Sequence, residues 1–117
     1  MDMQQNSLIP FAFGDNMVRV LTDEKGEPWF VAKDVCQILE LENVTKALYA
    51  LDDDEKITLT NSDGNPRHGI PHQMTIISES GLYALVFRSH KPEAHVFSKW
   101  VRGDVLPTYR QKGFVGT

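Results

Sequence analysis

The chain of 117 residues is 41% hydrophobic and 24% charged, proportions that belong to a folded globular protein and exclude a largely disordered one. A chain of this length supplies one hydrophobic core, so we expect a single domain. No run of 18 apolar residues exists to span a membrane, and the single cysteine, Cys36, excludes an internal disulfide and suits a reducing interior. The N-terminus lacks the basic and long apolar regions of a secretory signal, so we expect a cytoplasmic protein.

The charges are unevenly distributed along the chain. Residues 1–87 hold six bases and 14 acids, a net charge of −8, whereas residues 88–117 hold six bases and two acids, a net charge of +4. Such a split is typical of a surface for an anionic partner. A basic C-terminus that complements the acidic body of its own fold is the alternative. The overall charge of −4 argues against a non-specific coat for nucleic acid.

The first third of the sequence alternates between apolar and polar residues, as β-strands do. The segments 8–13 and 16–21 place apolar side chains at every second position, and a Gly-Asp turn separates them. A second turn at 23–27 precedes a short strand at 28–32, whose leading proline suits an edge or the start of a strand. We therefore predict a β-meander of about three strands.

Helical spacing replaces the alternation at 32–41, and Asn43 is placed to cap a second helix directly after it. Two short helices joined in this way have some likeness to a helix-turn-helix. The second helix offers only Thr45, Lys46 and Tyr49 as outward groups, which is little for reading base edges.

Two further alternating segments, 56–60 and 72–77, predict a β-hairpin. The turn-rich stretch between them predicts a long, mobile tip that carries Arg67 and His68. A basic hairpin tip can enter a groove of DNA, although most such tips are only solvated.

The last third predicts two amphipathic helices and a short final turn or helix that ends at Gly113. Ser78 or Ser80 caps the first helix, and Pro92 suits the first position of the second. The order of strands and helices predicts an α+β fold, in which a small antiparallel meander and hairpin pack against about four short helices in one domain.

The second of these helices combines a core-facing stripe with basic residues. Phe97 and Val101 belong to the stripe, whereas Lys99 and Arg102 lie outside it, three residues apart and therefore neighbours on the surface. Trp100 is more typical of the core or its rim than of a platform for stacking bases.

Residue types that support catalysis do not combine into a site. The corner Glu79-Ser80-Gly81 lacks the glycine that a nucleophile elbow needs two positions before the serine, because Ser78 stands there. Helix capping accounts for Ser78 and Glu79, and Gly81 permits close helix packing. We expect no enzyme activity.

Metal-ligand spacing is also absent. His68 and His72 lie in a turn-rich loop, and His90 and His95 are separated by a proline. A single cysteine cannot build a structural zinc set, and the acidic run at 52–55 does not match a calcium loop. We expect neither a metal nor a cofactor.

Several sequence blocks carry a likeness to a known family. They are Trp29-Phe30 with Asp34-Val35-Cys36, then Glu79-Ser80-Gly81-Leu82-Tyr83, then Lys91-Pro92-Glu93-Ala94 with Phe97 and Trp100, and finally Val105-Leu106-Pro107 with Arg110 and Gly113. In this order and spacing the chain resembles the N-terminal domain of the BRO family (Bro-N), which occurs in phage and prophage antirepressors and in proteins of large DNA viruses. We expect the domain to cover 10–113, with flexible termini at 1–9 and 114–117.

The resemblance implies a module that binds nucleic acid or regulates transcription, commonly fused to a variable C-terminal domain. The chain is then either a small stand-alone member or the N-terminal portion of a longer protein, acting in a bacterial host cell and at the nucleoid if it binds DNA. The motif residues to which the resemblance assigns structural roles are Trp29, Asp34, Glu79, Gly81, Phe97, Trp100 and Pro107.

Two functions are compatible with these observations. The first is a regulator that binds operator-like double-stranded DNA through the basic C-terminal helices, as a symmetric homodimer that reads two half-sites. The second is a protein-binding antirepressor module that captures a phage repressor or host regulator without contacting DNA. We favour the first. Its expected nucleic-acid-binding residues are Arg67, Arg88, His90, Lys91, Lys99, Arg102, Arg110 and Lys112.

Overall fold

The computed structural model describes residues 9–60 and 73–107. These ranges hold β1 (Ile9–Phe13), β2 (Asn16–Thr22), β3 (Pro28–Val31), α1 (Ala32–Leu39), α2 (Val44–Tyr49), β4 (Lys56–Thr60), β5 (Gln73–Ile77), α3 (Glu79–Arg88) and α4 (Pro92–Trp100). A single 3₁₀ turn, Asp53–Glu55, precedes β4, and α4 continues into a π-helical turn, Val101–Val105. Five strands and four helices confirm the predicted α+β class.

The strands form one antiparallel sheet in the order β1-β2-β3-β5-β4. β1 to β3 are the predicted meander, and β4 pairs with β5 as the predicted hairpin, with Thr58 opposite Thr75. β5 also pairs with β3, where Phe30 lies opposite Ile77, so the hairpin extends the meander into a single sheet. The predicted hairpin tip, including Arg67 and His68, lies outside the described residues.

Alternation along the strands buries apolar side chains on both faces of the sheet. Phe30 and Ile77 point into the main core, which they share with side chains of the helices such as Leu82. Their sequence neighbours Val31 and Ile76 belong to a smaller cluster that also contains Leu21, Trp29 and Met74. Because successive strand residues face opposite sides, central strands with continuous apolar runs are buried on both.

The predicted helix starts are confirmed by their capping contacts. Asn43 Oδ1 accepts a hydrogen bond of 2.9 Å from the Lys46 N–H at the start of α2. Ser78 Oγ accepts one of 3.1 Å from the Gly81 N–H at the start of α3. Pro92 occupies the first turn of α4, where its missing N–H costs no helical hydrogen bond.

The C-terminal end of the described chain stays helical through residue 107. The π-helical turn follows α4 without a break, and Val101 and Val105 are buried within it. The predicted final turn beyond residue 107 lies outside the described residues, as do residues 1–8 and 114–117 of the predicted flexible termini. Within the described ranges, no helix has the length and apolarity needed to cross a bilayer.

Candidate nucleic-acid interface

Asp34 ties the first helix to the sheet. It is the one buried charged residue among those described, and its carboxylate faces Arg19 on β2. The Arg19 backbone N–H and Nε donate to Oδ2 at 2.9 and 2.8 Å, and Nη2 donates to Oδ1 at 2.8 Å. These hydrogen bonds and the negative charge raise the pKa of Arg19. The family resemblance assigns a structural role to Asp34, but it does not predict the partner Arg19, which is a lone arginine inside an apolar strand.

Trp29 closes the turn between β2 and β3. Its Nε1 donates to Asp23 Oδ2 at 2.9 Å, while Oδ1 of the same carboxylate accepts the backbone N–H groups of Lys25 and Glu27 at 2.8 and 2.9 Å. Partial burial raises the pKa of Asp23, but the hydrogen bonds from Trp29, Glu27 and Lys25 lower it by more, so it lies below its ordinary value. Trp29 therefore stabilises a turn.

The corner at the start of α3 is closed by Glu55 of the 3₁₀ turn. Ser80 donates its hydroxyl hydrogen to Glu55 Oε2 at 2.8 Å, and the Ser78 N–H donates to the Glu55 carbonyl at 3.0 Å. A Cβ atom on Gly81 would lie 3.0 Å from that same carbonyl oxygen. The Glu55 backbone therefore approaches Gly81 closely, and the hydroxyl groups of the corner serve folding contacts.

An aromatic cluster anchors α4. Phe97 is fully buried, and its ring centroid lies 5.3 Å from that of Phe13 on β1. Trp100 is half-buried with its ring 4.8 Å from Phe13, which confirms the prediction that it lies at the rim of the core. Pro107 is half-buried at the end of the described helix, directly after the buried Leu106.

Basic residues at the end of α3 and along α4 are exposed. The connection between the two helices is held to α1, because Ser89 Oγ donates to the Leu39 carbonyl at 3.2 Å. The exposed residues of this face that were predicted to bind nucleic acid are Arg88, His90, Lys91, Lys99 and Arg102.

These cations differ in whether the fold already pairs them. Lys91 Nζ lies 2.8 Å from Glu40 Oε1 in a solvent-exposed ion pair, and this contact raises the pKa of Lys91. Arg88, Lys99 and Arg102 form no ion pair with any residue in the described part of the chain. Among the described residues, these three exposed cations have no acidic partner, although the protein carries an excess of acids.

Two clefts lie beside α4 and share His95 in their linings. One, of about 480 Å³, lies between α3 and α4 and includes Arg102 and Phe87 in its lining. The other, of about 490 Å³, includes Lys99 and Trp100. The two basic residues therefore line different clefts, although they are neighbours on the surface. Phe87 has 92% of its surface exposed, which the sequence pattern did not predict.

The family model of the BRO family N-terminal domain matches residues 17–107. The chain belongs to the BRO family. A protein of Haemophilus influenzae described only as uncharacterized is 43% identical over 103 residues, covering 88% of this chain and 50% of the relative. A Bro-N domain-containing protein of Invertebrate iridescent virus 3 is 31% identical over 119 residues, covering 86% of this chain and 29% of the relative.

A second Bro-N domain-containing protein, from Invertebrate iridescent virus 6, is 27% identical over 127 residues, covering 96% of this chain and 30% of the relative. The chain thus spans half the length of the Haemophilus relative and under a third of each viral one. No solved structure matches it.

The BRO domain brings together only part of the predicted site. Five of the predicted residues lie on α3, α4, their connection and the π-helical turn after α4: Arg88, His90, Lys91, Lys99 and Arg102. Arg67, Arg110 and Lys112 lie outside the described residues. Among the residues described, no cluster of three or more His, Cys, Asp or Glu side chains could hold a metal ion. Burial raises the pKa of the Cys36 thiol to about 11, which keeps it protonated near neutral pH.

Proposed function

We propose that this BRO domain is a transcription regulator of the antirepressor type that binds double-stranded DNA through α3 and α4. The observation that carries the proposal is the exposure of Arg88, Lys99 and Arg102 without an acidic partner among the described residues. Phosphate backbones are bound by fixed cations, and their neutralisation supplies most of the affinity for DNA. Cations already paired within the fold would contribute much less.

The placement of the cations on α4 suits a duplex. Lys99 and Arg102 are exposed and three residues apart, so they are neighbours on one side of the helical segment and can contact the same phosphate backbone. The major groove is about 12 Å wide and admits an α-helix. Arg102 also lies in the π-helical turn, a local geometry that is frequent at functional sites. A symmetric dimer would place two copies of α4 on two half-sites.

The salt dependence of duplex binding tests the proposal. Fluorescence anisotropy with labelled double-stranded DNA is measured from low to physiological salt, for the wild type and for the double variant Lys99→Ala, Arg102→Ala. Each lost phosphate contact should reduce the slope of log affinity against log salt by about 0.9. The charge-matched control, Lys25→Ala with Lys46→Ala, removes two exposed lysines elsewhere and should retain the wild-type slope. Equal losses in both double variants would refute the assignment.

A second function, capture of a repressor or regulator protein without DNA, is favoured by the exposure of Phe87. This ring, with 92% of its surface in solvent, adjoins other apolar side chains that line the same cleft, and such a contiguous exposed apolar surface is typical of a protein-binding site. A pull-down with the cognate repressor separates the two functions. If the repressor is retained by the Lys99→Ala, Arg102→Ala variant and the wild type binds no duplex, the second function replaces the first.

A further inference from the structure

The cleft between α3 and α4, here called the α3–α4 groove, combines an apolar floor with a cationic rim. No acidic side chain is among its described lining residues. We call its apolar lining residues, Tyr83, Val86, Phe87 and Ala94, the floor and its cations, Lys91 and Arg102, the rim.

Phe87 distinguishes this groove from the rest of the described surface. Its side chain is almost wholly exposed, yet it adjoins other apolar groups that line the same cleft. Among the described residues, the other highly exposed aromatic side chain is Tyr49 on α2, which is 79% exposed, and Lys56 Nζ lies 6.0 Å from its ring centroid. An exposed apolar surface that is contiguous and has a polar rim marks a binding site, whereas an isolated exposed ring does not.

We propose that the α3–α4 groove binds an acidic amphipathic helix of a partner protein. The floor can accept apolar side chains spaced one helical turn apart, which is how helices dock into grooves. Asp or Glu residues beside those anchors would meet Arg102, which has no ion pair with a described residue, and Lys91. The Lys91 ammonium has three donor hydrogens, so its contact with Glu40 leaves donors for a second carboxylate.

Charge separates this occupant from a second copy of the chain. A two-fold contact through the groove would place the same patch against itself, and the cations of one copy would face those of the other. Like charges at close range oppose that contact. A duplex would satisfy Arg102 and Lys91 but would leave the phenyl ring of Phe87 against a polar phosphate backbone. The acidic helix matches both the floor and the rim.

Arg102 belongs both to the α3–α4 groove and to the proposed DNA surface. An acidic helix bound in the groove would therefore compete with DNA and release it. This competition rests on the proposed DNA binding, whereas occupancy of the groove does not. A partner of this kind would act as a regulator of the DNA-binding state.

The groove is tested with a designed peptide of about 18 residues, long enough to form a helix on binding. The labelled probe carries leucines at helical spacing and glutamates between them, and a second peptide has the same composition in scrambled order. Anisotropy with the whole chain should show the scrambled peptide binding at least tenfold more weakly. Equal affinity for the two peptides would mean that the cations attract any acidic peptide, and it would overturn the proposal. The absence of binding up to about 1 mM peptide would overturn it too.

Matched variants locate the binding. Phe87→Ala should weaken the amphipathic peptide about tenfold, because a central aromatic anchor carries much of the affinity. Tyr49→Ala removes another exposed aromatic ring and should have no effect. Arg102→Ala should weaken peptide binding, whereas Lys99→Ala, a residue that does not line the groove, should not. Unchanged peptide affinity in Phe87→Ala would refute the groove.

Duplex binding is measured on the same variants. We expect Phe87→Ala to retain DNA affinity and unlabelled peptide to displace DNA from the wild type. Loss of DNA affinity in Phe87→Ala with no loss of peptide affinity would assign this residue to the DNA interface and overturn the groove. If the wild type binds peptide but not DNA, the proposed DNA binding fails, while the groove stands.

Discussion

The junction between the sheet and α1 and the face formed by α3 and α4 use the same residue type in opposite ways. At the junction, the guanidinium of Arg19 donates two hydrogen bonds to the buried carboxylate of Asp34. On the α3–α4 face, Arg102 is exposed and has no ion pair with a described residue. One arginine holds two elements together, and the other is available to a partner.

Acidic residues can also be engaged by the fold itself. The Glu55 carboxylate accepts the Asp52 N–H at 2.9 Å and the Ser80 hydroxyl at 2.8 Å, so this part of the acidic run is engaged in folding contacts. The net charge of a segment therefore does not locate a binding surface. The charges that remain without an internal partner are the ones that can bind another molecule.

The largest expected effect is on the Arg19–Asp34 pair. Asp34→Ala should lower the free energy of unfolding by about 2–3 kcal/mol, because it leaves a partly buried guanidinium and a backbone N–H without their acceptor. Arg102→Ala, which breaks no such contact, should change it by less than about 0.5 kcal/mol. Urea unfolding followed by tryptophan fluorescence measures both. Similar losses of unfolding free energy in the two variants would contradict this difference between the two regions.

An intermediate loss of stability is expected when Gly81 is replaced. Gly81→Ala should destabilise the fold by about 1 kcal/mol, because the new Cβ would meet the Glu55 carbonyl at 3.0 Å and the backbone must shift. Gly103→Ala is the matched control, since a Cβ there meets nothing within 4 Å. It should stabilise the helix by about 0.5 kcal/mol. Thermal unfolding of both variants tests this, and a stabilised Gly81→Ala would disprove the close approach.

The smallest expected effect is on the stability of the fold at acidic pH. The pKa of Asp23 is lower in the folded chain than its ordinary value of 3.8, so its contribution to stability is complete above that value and is lost as the pH falls through the folded pKa. The free energy of unfolding, measured by urea at pH 7 and near pH 3, should fall more in the wild type than in Asp23→Asn. An equal fall in the wild type and in Asp23→Asn would show that the ionised carboxylate of Asp23 does not stabilise the turn that Trp29 closes.

Local signals in the sequence predicted most of the elements. Alternation predicted the meander and the hairpin, and Asn43, Ser78 and Pro92 marked the helix starts, because capping and strand periodicity depend on near neighbours. The structural roles expected for Asp34 and Gly81 also have physical causes in the structure.

Features that depend on distant residues could not be predicted in this way. Arg19 and Asp34 are 15 positions apart, and their contact follows from how α1 crosses the sheet. The pairing of β5 with β3 joins segments separated by two helices and a strand. The exposure of Phe87 depends on how α4 packs against α3, and the spacing of apolar residues within α3 does not specify that packing.

The central claim is that the cations of α3 and α4 serve a partner and not the fold. Two charge-matched triple variants test it: Arg88, Lys99 and Arg102 to Ala, and Lys25, Lys33 and Lys46 to Ala, all six of which are exposed. Duplex affinity near 100 mM salt and the free energy of unfolding are measured for each. We predict that the first triple variant loses at least tenfold in DNA affinity with stability within about 1 kcal/mol of the wild type, while the second loses less than about threefold in affinity. Equal losses of affinity, or a first variant that unfolds, would contradict the claim.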